Sequence, residues 1–393
     1  MMANKNTENK PKNSKKENIY SVKERLFSSG LTFTLLSIVV GFLIGAVVLL
    51  IAGFNPLDAY RIMIEGIFSR TKYLSYTIIY ATPLIITGHS VTFAFRTGLF
   101  NIGAEGQFII GSLVAGLIGH FLELPLILHV LVIILGAAIA AGLWGGIAGF
   151  LKAKFGVHEV IATIMLNWIA LYFNNYLIMK PFFRRPESET SKDILDSASI
   201  TILEKWKYTD AGREWLSSHP YLKDFLSAPA NLGIIFAIIL AIIVWYILNK
   251  TTLGYELRAV GYNKLAAEYG GIKVKKSIIT SMMISGALAG LAGAIQVMGV
   301  TKSVIVLPLM EGYGFDGIAV SLIAGNMAIG NIFSGLLFGA LKYGGPKIQP
   351  PLGAPSEVVN IMIGTIVFFI AIPKLFKMII NVKNKKRGEN NAG

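Results

Sequence analysis

Long uncharged runs alternate with short polar connections along most of the chain. The first, Leu31–Gly53, carries no charged side chain and meets the ~20 apolar residues that a membrane-spanning helix needs. Comparable runs recur at Leu74–Phe95, Leu124–Phe150, Val160–Ile178, Leu232–Leu248, Ile278–Val297 and Val358–Ile372. Two further stretches, Gly98–Gly119 and Asp316–Leu341, are apolar but broken by glycine and polar residues. This pattern predicts an all-α, polytopic transmembrane helical bundle of about ten segments, including a split or re-entrant helix pair.

Composition agrees. The mean hydropathy is +0.61 and 15% of the 393 residues are charged, against about 25% in soluble domains. The net charge of +14 raises the question of nucleic acid, but its distribution argues against it. Basic residues gather in the N-terminal tail, along Lys250–Lys276, and at Lys374, Lys377, Lys383, Lys385, Lys386 and Arg387. These are the flanks that the positive-inside rule assigns to the cytoplasm, next to anionic lipid. Residues 1–30 are polar and rich in Lys and Asn, and read as a disordered cytoplasmic tail; they lack the form of a cleaved signal. Residues 376–393 read as a basic cytoplasmic tail, with the membrane domain over 31–375. Both termini are then cytoplasmic, the near-balanced segment at about 180–230 is external, and the loop at about 249–276 is internal.

Counting crossings from an internal N-terminus leaves a parity problem late in the chain. A single helix over Asp316–Leu341 would put the basic C-terminus outside. Splitting it near Gly325–Gly330 restores the expected side, and Gly325, Asn326, Gly330 and Asn331 suit such a break. Glycines four residues apart, as in Gly41/Gly45, Gly142/Gly146, Gly145/Gly149, Gly286/Gly290 and Gly335/Gly339, read as close helix-packing faces.

Several chemistries are missing. There is no Walker A loop, no HExxH, no GxSxG and no cysteine, so neither nucleotide hydrolysis by a P-loop, nor zinc or serine hydrolysis, nor thiol chemistry is expected. No metal site, cofactor or catalytic residue is expected in the chain.

The stretch Phe95–Gly111, FRTGLFNIGAEGQFIIG, holds Glu105 between apolar spans. A carboxylate at mid-bilayer costs at least ~2.5–3.5 kcal/mol, so it faces a bundle interior or a water-filled pathway. Glu105 is therefore either a pathway group or a structural one bonded to glycine-rich backbone. Asn101, Gln107, His89 and Asn167 are further polar groups in apolar spans, each a candidate for the pathway or for helix–helix bonding. Phe93, Phe100 and Phe315 could stack on a nucleobase. The unit Gly98–Ala104 is similar to Gly314–Ala319, each opening a polar-interrupted span, which suggests that Asn101 and Asp316 line a pathway at related depths. The internal loop holds a short helix at Tyr262–Tyr269, with Asn263 as N-cap and Gly270/Gly271 as its stop. It suits either docking to a motor subunit or lying on the lipid surface.

GLFNIGAEGQ, then RAVGYNKLAAEYGGI, then GYGFDGIAV together resemble permease subunits of ATP-binding-cassette importers of the branched-chain amino acid, simple sugar and nucleoside group, and most closely its nucleoside branch. The resemblance spans roughly residues 30–375 and lacks one feature: Asn326-Met327-Ala328 stands where many relatives carry a proline. It implies a coupling helix at Asn263–Gly271 seated on a separate ATPase subunit, with Gly261, Asn263, Ala266, Ala267, Gly270 and Gly271 forming that element and Ala266 and Ala267 packing closely in the ATPase cleft. It further implies a second permease chain, identical or homologous, and an extracellular substrate-binding lipoprotein. ATP would be used by the partner, with no enzyme activity in this chain. The implied function is nucleoside import by alternating access across a bacterial cell membrane. A ribose-like sugar or a branched-chain amino acid is the alternative cargo, and an ion-coupled secondary transporter the alternative class.

Overall fold

The computed structural model describes residues 30–355 and 357–371. The expected tails lie outside the described residues, except for Gly30. Helices make up the framework, and among the described residues the β contacts are isolated bridges such as Thr190 with Ile305 and Thr201 with Asn231. Among the described residues, seven helices are long and apolar enough to cross a membrane. They are α1 (Gly30–Ile51), α3 (Thr71–Arg96), α4 (Ala104–Phe121), α5 (Leu126–Phe155), α6 (Glu159–Ile178), α9 (Gly233–Lys250) and α12 (Val274–Gln296). Amphipathic α2 (Pro56–Phe68) starts on Asn55, whose side chain accepts the Leu57 N–H, and buries Ala59, Met63 and Ile67.

The chain divides into two compact units, one made of the N-terminal residues to Gly45 with those from Ile361, the other of Ala46–Asn360. In the first, Gly41 of α1 abuts Ile366 of the last helix (Glu357–Ala371), where a side chain would collide.

In the second unit α3 is the axis. Nearly all of its residues from Ala81 to Ala94 are buried, so its many Ser and Thr hydroxyls bond within the fold, as Thr87 Oγ1 does to the Pro83 carbonyl at 2.9 Å. The expected glycine faces are real contacts. Gly142, Gly145, Gly146 and Gly149 of α5 lie against Met282, Met283, Ile279 and Gly286 of α12, and Gly335 and Gly339 lie against Ile85 and Ala81 of α3. Such small faces let backbones approach where lipid offers no hydrophobic driving force.

The late span is split, as the parity argument requires. Helix α13 (Tyr313–Ile323) stops at Ala324, and α14 (Ala328–Gly344) starts after Met327. No proline makes this break. Gly325 and Asn326 turn the chain in left-handed conformations, φ 62° and 55°, and glycine and asparagine carry the smallest penalty there. The expected span Gly98–Gly119 is corrected: helix begins only at Ala104, and Gly98–Gly103 is a non-helical approach.

The segment at 180–230 is a folded cap rather than a loop. It carries α7 (Asp210–Ser217) and α8 (Pro220–Leu226), and it buries Phe183, Ile194, Ala198 and Ile200 in the main core. Lys302, at the far end of α12, holds it by bonding Thr201 Oγ1 at 2.5 Å and Glu204 Oε2 at 3.0 Å. Burial pushes the Lys302 amine below its ordinary value, outweighing the opposite pull of Glu204, while at Glu204 burial is outweighed by Lys302 and the neighbouring hydroxyls, which hold the carboxyl below the usual range.

Candidate functional site

Two helices begin at mid-depth and run in opposite directions. Helix α13 descends alongside α3: Thr87 bonds the Tyr313 carbonyl at 3.0 Å, Thr92 meets Ser321 at 2.7 Å, and Arg96 reaches the Asn326 carbonyl at 2.9 Å. Arg96 lies nine positions after Thr87, a rise of about 13 Å at ~1.5 Å per residue, so α13 starts well inside the bundle. Helix α4 runs the other way. Its approach passes Gly261 at Gly98, its start touches Gly314 at Glu105, and its far end meets Ile194 and Ala198 of the cap at Gly119.

Both starts have glycine at the N-cap, Gly103 and Gly312, and so lack a side-chain oxygen of their own for the free N–H groups. Other residues supply it. At α4, Asn101 Oδ1 accepts from Gly103 N–H at 3.0 Å and Asn167 Oδ1 from Gly106 N–H at 2.8 Å. Asn101 also donates to Gln107 at 2.8 Å and to Ser285 at 2.7 Å. At α13, the Glu105 carboxylate accepts from Gly312 N–H at 2.8 Å and Gly314 N–H at 2.6 Å. The positive ends of two opposed helix dipoles thus converge on one buried carboxylate. Only glycine fits at 314, since any Cβ would strike the Glu105 backbone.

The residues chosen from sequence therefore separate. Asn101, Glu105, Gln107, His89 and Asn167 are all fully buried and bonded inside the fold. His89 receives the Asn331 amide at 3.0 Å on Nδ1 and faces the Ala237 carbonyl at 3.3 Å with Nε2, an arrangement that a neutral ring with its proton on Nε2 satisfies. Phe93 is buried among Val244, Leu248, Leu257, Leu288 and Ala328, and Phe100 packs on Phe95 at 5.2 Å. Phe315 is exposed, while Asp316 is half-buried and lines an open space.

That space is a cavity of about 300 Å³ lined by Tyr80, Leu84, Glu311, Tyr313, Asp316 and Lys342. Asp316 pairs with Lys342 at 2.7 Å. From its rim, an aromatic wall runs along α3 and α14. Tyr343 stacks on Tyr76 at 5.3 Å with planes 12° apart, and Tyr80 and Tyr73 lie 5.8 and 6.1 Å from it. Lys347 sits 4.9 Å from the centres of both Tyr73 and Tyr343. Sequence reasoning missed Tyr73, Tyr76, Tyr80, Glu311, Lys342 and Tyr343. The signal available was tyrosine at three- and four-residue spacing, which puts all three rings on one helix face.

The N-terminal end of α3 is bracketed by the cap. Asp224 of α8 accepts from Lys72 N–H at 3.0 Å and Thr71 Oγ1 at 3.2 Å and pairs with Arg70. The arginine and these donors hold its carboxyl below the usual range.

At the opposite end, α10 (Thr252–Tyr262) leads into α11 (Lys264–Tyr269). Asn263 caps α11 through the Ala266 N–H at 3.1 Å, and Gly271 follows it at φ 83°. Two details differ from expectation. Tyr262 ends the preceding helix rather than starting this one. Ala267 is turned inward while Ala266 is exposed, so the outward face is formed by Leu265 and Tyr269, 77% and 98% exposed.

A family model described as branched-chain amino acid transport system / permease component matches residues 73–371. The guanosine ABC transporter permease protein NupP of Bacillus subtilis is 42% identical over 362 residues, 92% of this chain and 99% of its own length. The nucleoside ABC transporter permease protein NupB of Lactococcus lactis is 36% identical, over 90% of this chain and 96% of its own. The glucose ABC transporter permease protein TsgB13 of Haloferax volcanii is 27% identical over 87% of each. No solved structure matches the chain. With the match covering the opposed half-helices, the cavity and the short exposed helix alike, the chain belongs to the branched-chain amino acid transport system permease family and is a multi-pass membrane transport component.

Proposed function

We propose that the chain is the membrane subunit of an ATP-driven nucleoside importer, with its cargo passing along the tyrosine wall into the Asp316–Lys342 cavity. The observation that carries this reading is the stacked wall beside a charged cavity. Base–aromatic stacking contributes ~1–3 kcal/mol per base, and a carboxylate is a bidentate acceptor for vicinal ribose hydroxyls. Glu311 and Asp316 outnumber Lys342 in the cavity lining, which favours an uncharged nucleoside over a nucleotide. Two of these relatives are named for guanosine and nucleoside transport, in support of this cargo.

The remaining parts follow from the same reading. A separate ATPase seats the exposed face of α11 and uses the ATP. A second permease chain completes the pathway, and a binding lipoprotein delivers cargo at the cap side. Both termini face the cytoplasm of a bacterial cell. Movement is by alternating access, driven by the ATPase pair's different affinities for the two states, since a ligand without such a difference shifts nothing.

Uptake of radiolabelled nucleoside by cells carrying the whole system tests this. Uptake is expected to stop when the partner ATPase is inactivated, to fall with Tyr343→Leu, and to be competed by unlabelled nucleosides but not by ribose or glucose. Competition by ribose as strong as by nucleosides would assign a sugar instead. Leu265→Glu with Tyr269→Asp is expected to abolish uptake while the chain still inserts.

A further inference from the structure

We propose that a second cavity, at the α11 end of the bundle, binds a phosphate group through Arg96 and Arg258. The cavity measures about 210 Å³ and is lined by Phe95, Arg96, Arg258, Gly261, Tyr262, Gly325 and Asn326. One water claims ~30 Å³ of liquid, so the space is large enough for a tetrahedral anion. It lies away from the tyrosine wall and shares no lining residue with the Asp316–Lys342 cavity.

Both guanidiniums are positioned in the same manner. Arg96 donates its Nε to the Asn326 carbonyl at 2.9 Å, and Arg258 donates its Nε to the Gly254 carbonyl at 3.3 Å. That leaves the terminal nitrogens of each without a protein acceptor, and neither arginine has a carboxylate partner among the described residues. Two cations sharing a small cavity repel each other, and an anion between them removes that repulsion. Planar guanidinium forks match phosphate oxygens in pairs. The backbone enforces the arrangement. A Cβ on Gly261 would strike the Arg96 carbonyl, so glycine there lets α10 press against the end of α3 and brings Arg258, one turn earlier, beside Arg96.

The chemical class is a phosphate mono- or diester, supplied either by an anionic lipid headgroup or by free phosphate. Bound there, it ties together the helix leading to α11, the end of the tyrosine-bearing α3, and the α13–α14 break. Those are the parts that must move in concert if motion at α11 is to reach the cavity.

The test uses the full-length chain in phosphatidylcholine nanodiscs, with two probes: phosphatidylglycerol, counted by native mass spectrometry, and radiolabelled inorganic phosphate, by equilibrium binding. Saturable binding of one anion per chain is expected. It should weaken at least about tenfold in Arg96→Gln/Arg258→Gln, as loss of charge-assisted pairs implies, and by less in Arg258→Lys, which keeps charge but loses the fork. Arg258→Gln alone serves if the double variant does not insert, and Lys250→Gln controls for general surface charge. Saturation by the lipid alone assigns the headgroup, and saturation by inorganic phosphate assigns the free ion. Saturation by neither, or equal binding by wild type and the arginine variants, overturns the site.

Discussion

The starts of α4 and α13 share a sequence theme and a depth, but not a surrounding. The α4 start is enclosed: Asn101, Asn167 and Gln107 occupy each other and its N–H groups, and all three are fully buried. The α13 start has the same glycine cap, takes its acceptor from Glu105, and then leaves Phe315 exposed and turns Asp316 toward the cavity. One start is scaffold and the other is wall. The difference teaches that polarity within a membrane span marks a cost that must be met, and that only the surroundings reveal whether protein or cargo meets it.

Glu105 belongs to both starts, so the largest effect is expected there. Glu105→Ala leaves the buried Gly314 N–H and the part-buried Gly312 N–H without their acceptor, and an unpaired buried donor costs ~1–3 kcal/mol. Thermal melting in nanodiscs should fall sharply, and little folded chain should be recovered. Glu105→Gln keeps one acceptor oxygen and should lie between. A Glu105→Gln chain that melts like wild type but transports with an altered pH profile would break the comparison, because the charge would then serve the cargo rather than the helix start.

The wall side should respond in the opposite sense. Asp316→Asn with Lys342→Gln removes the ion pair while leaving hydrogen-bonding groups of similar shape. Uptake is expected to fall at least about tenfold, the worth of one charge-assisted bond near ~1.4 kcal/mol, with melting nearly unchanged because the pair is partly solvated. Collapse of the fold in this double variant would make both starts scaffold.

Which of these features could be read from sequence depends on how local they are. The spans show in hydropathy alone, and the α13–α14 break shows because Gly325 and Asn326 are adjacent residues suited to a left-handed turn. The Asn263 cap and the Gly271 stop of α11 are equally local. Glu105 attracts notice through its cost, but its partners lie more than 200 positions later, with |i−j| of 207 and 209, and nothing nearby names them. His89 and Asn167 carry the same flag and turn out to bond inside the fold. Asp316 shows in its Gly-bounded unit, but its partner Lys342 and the Tyr76–Tyr343 stack emerge only when α14 folds back along α13 and α3, so Lys342 and the tyrosines do not stand out alone. Ala267 was placed outward because a short helix at a membrane surface does not disclose which face its neighbour covers.

The smallest effect is expected where the wall is held from outside. Asp224 brackets the first turn of α3, from which the tyrosine wall continues, and it touches neither helix start. Its folded carboxyl titrates below its ordinary 3.8. The bracket's contribution is therefore fully present above that ordinary value and is lost only as pH falls through the depressed one. The melting difference between wild type and Asp224→Asn should accordingly be small and constant from about pH 7 to about pH 5, and should shrink only in stronger acid. Nucleoside uptake by the variant should weaken with the α4 start intact, which would separate the wall from the scaffold a second time. A difference that already fades between about pH 7 and about pH 5 would mean that Asp224 is not held low by Arg70, and the outer bracket would lose its part in positioning the wall.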